Sequence, residues 1–85
     1  MKGGIIVESK IWQIVGDDRY PDKVKYSLFA VYAGETIVGY DNHHPKGHHR
    51  HFGDSEESYN YTTVEKLRND FRADLELELA KRGLG

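Results

Sequence analysis

Residues 23–32 constrain the fold of this chain more than any other stretch. Every even-numbered position from Val24 to Tyr32 is apolar or aromatic, whereas the odd-numbered positions include polar side chains. Because successive side chains on a strand point to opposite faces, this alternation predicts a strand with one face against a core. Ala33-Gly34-Glu35 is typical of a tight hairpin turn, since glycine adopts positive φ without strain. A third strand, Thr36–Asn42, is therefore predicted to pair antiparallel with the second.

The C-terminal part of the chain predicts one helix. Thr62-Thr63-Val64-Glu65 has the sequence of a capping box, in which the Thr62 hydroxyl accepts from the Glu65 N–H and the Glu65 side chain reaches back. The helix is predicted to run to about Lys81, with Gly83 as a suitable cap beyond its end. Apolar residues at three- and four-residue steps form one stripe for packing, namely Val64, Leu67, Phe71, Leu75 and Leu79.

The remaining segments complete an α+β fold. Ile5–Val15 is rich in β-branched residues and predicts the first strand. Residues 43–57 are predicted to form a polar loop, part of it extended and paired at a sheet edge, and Tyr59–Tyr61 a short fourth strand. We therefore expect residues 1–85 to form a single domain, an antiparallel meander of three to four strands with the C-terminal helix packed on one face.

The composition predicts the cellular compartment of the protein. The chain has no cysteine, which excludes disulfides and thiolate metal sites and favours a reducing compartment. Glu8 and Lys10 interrupt the N-terminal apolar stretch, so no signal peptide is predicted, and no apolar run reaches the roughly 20 residues that span a bilayer. We expect a cytoplasmic protein without membrane contact. Because the core of so short a chain is small, we also expect a homodimer, formed through the helix or the outer face of Ile5–Val15.

The segment from Gly39 to Gly53 is the candidate functional region. It contains all five histidines of the chain, together with Lys46 and Arg50, and no carboxylate occurs between residues 43 and 53. This is the positive part of a chain whose net charge is −2. A solvated polar turn is the ordinary explanation for such a segment, but the confinement of every histidine to it favours a site.

Phosphate chemistry without a metal is the first interpretation of this segment. Cleavage of RNA at a 2′-hydroxyl needs a general base, a general acid and a cation near the phosphorane. His49 and His51 are candidates for the acid and base, in either order. Arg50 and Lys46 are candidates to stabilise negative charge, and Asp41 can orient a histidine. On an extended strand Arg50 points away from both histidines, so this interpretation requires the loop to bend.

Four further residues are candidates to contact the substrate. Tyr40 can stack on a base, and Asn42 and His44 lie at or just beyond the end of the third strand. Lys25 lies on the neighbouring strand. For Tyr40 and Lys25 the ordinary alternatives are a half-buried sheet tyrosine and an exposed lysine on a sheet face.

A metal site is the second interpretation, and a non-catalytic domain that binds a metal or a partner is the third. Imidazole nitrogens bind zinc, copper and nickel, and His49 and His51 point the same way on an extended segment. His44, or alternatively His43, is the candidate third ligand, with Asp41 available to complete a tetrahedral set. The nearby cations oppose a divalent metal. Under the first interpretation no cofactor is expected. Under the second, the protein binds a divalent metal.

Several short motifs together resemble the signature of the TumE family of small toxins from toxin–antitoxin modules. The motifs are Tyr40-Asp41-Asn42, His44, Lys46-Gly47 and His49-Arg50-His51, with Lys25-Tyr26 before them and Tyr59-x-Tyr61-Thr62 after them. The resemblance implies a toxin neutralised by a helix-turn-helix antitoxin. Ribonuclease activity is common among toxins of this size, so RNA is the substrate expected from both the resemblance and the residues.

Overall fold

A computed structural model, which describes residues 4–83, contains one antiparallel sheet and one helix. The elements are β1 (Ile6–Gln13), β2 (Val24–Tyr32), β3 (Glu35–Asp41), β4 (His49–Phe52), β5 (Ser55–Ser58) and α1 (Val64–Lys81). The strands follow one another across the sheet in the order β1-β2-β3-β4-β5. The predicted α+β meander with a C-terminal helix is confirmed, with five strands rather than three or four.

The β4–β5 hairpin occupies the segment that was predicted to be mainly loop. Phe52 pairs with Ser55 across Gly53-Asp54, and the φ of Gly53 is 57°. The predicted strand at Tyr59–Tyr61 is wrong, because β5 ends at Ser58 and the following residues lie outside regular secondary structure. There the chain turns towards the helix, and the Tyr59 hydroxyl donates a hydrogen bond to Asp70 at 2.6 Å.

The N-cap of the helix lies one residue later than the sequence predicted. Thr63, rather than Thr62, is the N-cap, and its hydroxyl accepts a hydrogen bond from the Lys66 N–H at 3.1 Å. The helix ends at Lys81 as predicted. No helix within residues 4–83 is both long enough and apolar enough to cross a membrane.

The core lies between α1 and the middle of the sheet. Leu67 and Phe71 of the predicted stripe are buried, and α1 packs mainly over β3. On this side, which we call the helix face, Leu28 pairs with Tyr40 and both are buried. The other side of the sheet, which carries Phe29 at the next position, has no helix over it within the described residues; we call it the open face.

Candidate functional site

Strand pairing divides the histidine-rich motif between the two faces of the sheet. The register of β3 and β4 pairs Gly39 with His51, Tyr40 with Arg50, and Asp41 with His49. Because side chains alternate along a strand, Asp41, His49 and His51 point to the open face, whereas Tyr40 and Arg50 point to the helix face. The bend that would bring Arg50 and the histidines together is therefore absent from β4.

Asp41, His49 and His51 form one group on the open face, which we call the open-face cluster. The Asp41 carboxylate lies between the two imidazoles, 2.9 Å from His49 Nε2 and 3.4 Å from His51 Nε2. The imidazole rings are inclined at 76° with centroids 4.9 Å apart. Ligand atoms from all three side chains lie within 4.8 Å of one another. One carboxylate thus faces two groups that can transfer protons or bind a metal.

The hydrogen bonds of His49 restrict its chemical state. Its Nδ1 lies 2.7 Å from the Gly47 carbonyl oxygen, and a carbonyl can only accept, so Nδ1 carries a hydrogen. Its Nε2 faces Asp41 at 2.9 Å and Glu56 at 3.4 Å, both carboxylates. Two acceptors repel each other unless a proton or a cation lies between them. His49 Nε2 is therefore the ring nitrogen that can exchange a proton or bind a metal ion beside these carboxylates.

Glu56 is a member of the site that the sequence did not reveal. It lies on β5 opposite His51 and pairs with Lys46 at 3.0 Å. The hydrogen bond from Lys46 lowers the pKa of Glu56. Gly53-Asp54 is a known two-residue hairpin signal, and alternation after it would have placed Glu56 beside the histidines. The positive segment of the sequence is thus partly neutralised by the following strand.

The cluster borders an open cavity of about 460 Å³. The loop between β3 and β4 forms its other wall, so the structure brings the predicted residues His44 and Lys46 to the same cavity as the histidines. The full lining is Asp41, His43, His44, Pro45, Lys46, His49 and His51. A cavity with these walls can admit an anionic group next to proton donors and acceptors.

Gly39 leaves room for the aromatic ring beside the cluster. A Cβ at this position would lie 2.6 Å from the Phe29 ring, closer than real contacts allow. The Phe29 ring therefore extends over β3 and reaches His51, with 6.3 Å between the ring centroids. Phe29 is thus the aromatic neighbour of His51 on the open face.

Arg50 and Tyr40 belong to a different network on the helix face. Arg50 donates to Glu57 at 2.6 Å, to the Tyr40 hydroxyl at 3.2 Å and to Asp74 of α1 at 3.3 Å. Tyr40 is fully buried, and its hydroxyl also donates to Asp74. Burial, with the hydrogen bond to Asp74, raises the pKa of Tyr40. The network ties the sheet to the helix, so the structure places both residues away from the cluster.

Asn42 and Lys25, the remaining predicted contacts, have separate environments. Asn42 is buried; its Oδ1 accepts from the Tyr26 N–H at 2.9 Å and its Nδ2 donates to the Val24 carbonyl at 2.7 Å. Its side chain thus fixes the end of β3 to the start of β2. Lys25 points to the open face, where its Nζ lies 5.5 Å from the centroid of the Trp12 ring.

His48 takes part in a third network that the sequence did not predict. Its Nδ1 accepts from the Tyr26 hydroxyl at 2.8 Å, and its Nε2 donates to Asp22 at 2.6 Å. Its ring stacks on Tyr61 at 4.9 Å. A single tautomer of the imidazole satisfies both contacts. No pattern in the sequence predicted that His48 contacts the loop residue Asp22.

Together these features define a small α+β protein with a carboxylate–histidine cluster on an uncovered sheet face. The model of one protein family, described as Toxin TumE, matches residues 2–79. The chain belongs to the TumE toxin family, which makes it a toxin component of a toxin–antitoxin system and implies an antitoxin as its partner. Comparisons with curated proteins and with solved structures gave no match. The resemblance found in the motifs is confirmed.

Proposed function

We propose that this toxin is a metal-independent ribonuclease of a type II toxin–antitoxin module, and that the open-face cluster is its active site. The observation that carries the proposal is the Asp41 carboxylate in contact with both His49 and His51 at the edge of an open cavity. Two imidazoles oriented by one carboxylate supply the acid and base that transesterification of RNA requires.

The contacts of His49 support one division of the two roles. In this mechanism His49 acts as the general acid through Nε2, the ring nitrogen that faces Asp41, because its Nδ1 faces the Gly47 carbonyl oxygen. His51 acts as the base and takes the proton from the 2′-hydroxyl. The 2′-oxygen then forms a bond to phosphorus, the bond from phosphorus to the 5′-oxygen breaks, and that oxygen takes the proton from His49 Nε2. The products are a 2′,3′-cyclic phosphate and a 5′-hydroxyl.

Lys46 is the cation of this mechanism. It lines the cavity and is 64% exposed, so its ammonium can exchange the Glu56 carboxylate for a phosphate. Arg50 takes no part, because it lies on the helix face with three acceptors around it. RNA lies across the open face, where Lys25 and the 44% exposed Trp12 offer a charge and a stacking surface. A helix-turn-helix antitoxin neutralises the toxin in the cytoplasm.

A metal-dependent nuclease or hydrolase is the second candidate, and one observation favours it. A histidine that binds a metal commonly donates its other ring N–H to a backbone carbonyl, as His49 does to Gly47. Asp41, His49 and His51 then supply three ligands, and His44 lines the same cavity. A metal held by these side chains would act as a Lewis acid on the substrate.

Cleavage of a fluorescent RNA with and without a chelator separates these candidates. The purified protein, the His51→Ala variant and the control Arg68→Ala, exposed on α1, are compared on RNA and on a strand with a single 2′-deoxy residue at the cleaved position. Cleavage that survives chelation, needs the 2′-hydroxyl and disappears in His51→Ala supports the proposal. Loss on chelation supports the metal-dependent candidate. If the protein binds a metal or the antitoxin tightly but cleaves no RNA, the result supports a non-catalytic binding domain.

A further inference from the structure

β1 presents an unpaired edge with apolar side chains. Among residues 4–83 its only strand neighbour is β2, and every β1 residue except Ile11 is exposed. Ile6 is 65% exposed, Val7 52% and Trp12 44%. Proteins usually protect such an edge, because its free N–H and C=O groups can pair with another strand. The charged residues of β1 indicate which strand can pair with this edge.

The sequence of β1 is self-complementary about Ser9. On either side of Ser9 lie the opposite charges Glu8 and Lys10, and beyond them apolar residues occur on both sides. Two antiparallel copies related by a two-fold axis at Ser9 place Glu8 opposite the partner's Lys10. The same register places Val7 opposite the partner's Ile11, and Ile6 opposite the partner's Trp12.

Neighbouring registers of the same pairing are disfavoured. An axis at Glu8 puts that carboxylate opposite the partner's Glu8, and an axis at Lys10 puts two ammonium groups together. Directly opposed like charges destabilise a strand pair, whereas opposite charges stabilise it. Within one chain Glu8 and Lys10 form an ion pair at 3.8 Å, and their side chains are 62% and 53% exposed, so a second copy can reach both.

We propose that two copies of this chain form a symmetric dimer by antiparallel pairing of β1 with the partner's β1, centred on Ser9. The two sheets become one continuous sheet. The charge complementarity of Glu8 and Lys10 selects a second copy rather than the antitoxin as the occupant of this edge. The dimer does not use the open-face cluster, which lies on β3 and β4, but it shares Trp12 with the proposed RNA surface.

Variants with reversed charges at Glu8 and Lys10 test this register. Sedimentation of each purified protein over a range of concentrations measures the dimer dissociation constant. The wild-type chain is expected to move from its 9.8 kDa monomer mass to twice that mass. Lys10→Glu and Glu8→Lys each place like charges opposite each other on both sides of the axis. Each single variant is expected to raise the dimer dissociation constant about tenfold or more. The double variant Glu8→Lys/Lys10→Glu restores the complementarity and the wild-type affinity.

Mixing the two single variants is a second, independent test of the register. Each single variant carries one kind of charge at both positions, so an equimolar mixture is expected to form mixed dimers in preference to either homodimer. Circular dichroism of each variant controls for folding. A chain that stays monomeric at every concentration overturns the proposal, as does a dimer that is indifferent to these charges. Loss of antitoxin binding in the single variants, with no dimer in the wild type, assigns the edge to the antitoxin and also overturns it.

Discussion

His51 and Arg50 are neighbours in sequence but belong to two different regions of the molecule. His51 points to the open face, beside a cavity and a shared carboxylate. Arg50 points to the helix face, where Glu57, Tyr40 and Asp74 surround it. The three acceptors around Arg50 favour a structural role for it, whereas the two imidazoles beside the cavity are available for chemistry. Strand alternation, rather than membership of one motif, separates the two roles.

The largest expected effect follows from removing an imidazole of the open-face cluster. His51→Ala is expected to lower the rate of RNA cleavage about 1,000-fold, because general acid–base groups contribute about 10²–10⁴-fold. His51 is 25% exposed, so its removal disturbs packing less than removal of the 9% exposed His49. Single-turnover cleavage measures the effect, and thermal unfolding verifies that the variant is folded. Wild-type cleavage by folded His51→Ala would remove this residue from the mechanism.

Truncating Arg50 is expected to change stability instead. Arg50→Met leaves the carboxylates of Glu57 and Asp74 without their shared cation, at a cost of about 2 kcal/mol in the free energy of unfolding. Urea denaturation measures this loss. Arg68→Ala, on the exposed side of α1, is the matched control and is expected to change little. An Arg50→Met protein as stable as the wild type would contradict the structural assignment.

Asp41→Asn probes the link between the two histidines. The amide keeps the shape of the side chain but removes the charge that holds both imidazoles, so the cleavage rate is expected to fall about tenfold, equivalent to about 1.4 kcal/mol. Single-turnover cleavage measures this fall, and thermal unfolding verifies that the variant is folded. Cleavage at the wild-type rate by folded Asp41→Asn would contradict this role of the carboxylate.

The smallest effect concerns the junction between Tyr59 and the helix. The hydrogen bonds that Asp70 accepts from Lys66 and Tyr59 lower its pKa, so the folded state binds fewer protons there than the unfolded state. Its contribution is complete above the unfolded pKa of about 3.9 and is lost as pH falls through the lower folded pKa. Asp70→Asn is expected to cost about 1 kcal/mol at neutral pH.

Urea denaturation at a series of pH values tests this assignment. Stability of Asp70→Asn is expected to fall less steeply than that of the wild type below about pH 4, because the titrating group is gone. The exposed Asp54→Asn is the control and is expected to follow the wild-type curve. Parallel curves for Asp70→Asn and the wild type would contradict the assignment.

Local patterns predicted the elements whose burial is regular. The alternation of β2 and the stripe of α1 each reflect contact with one core, and Gly34 adopts the positive φ of 78° that its exposed turn requires, so the hairpin and the helix were predicted. β5 lacks such a signal, since every one of its side chains is exposed. Without β4 and β5, the sequence located the histidines but grouped Arg50 with them and omitted Glu56. The packing of Tyr59 under α1 depends on tertiary contacts that no local pattern records.

The central claim is that the two faces of β4 have different roles, and the cleavage rate of folded Arg50→Met tests it most directly. The protein is assayed at a temperature where circular dichroism shows it to be fully folded, beside His51→Ala and the wild type. We predict a rate within about threefold of the wild type, because Arg50 contacts neither the cavity nor the cluster. A loss as large as that of His51→Ala would contradict the claim and return Arg50 to the active site.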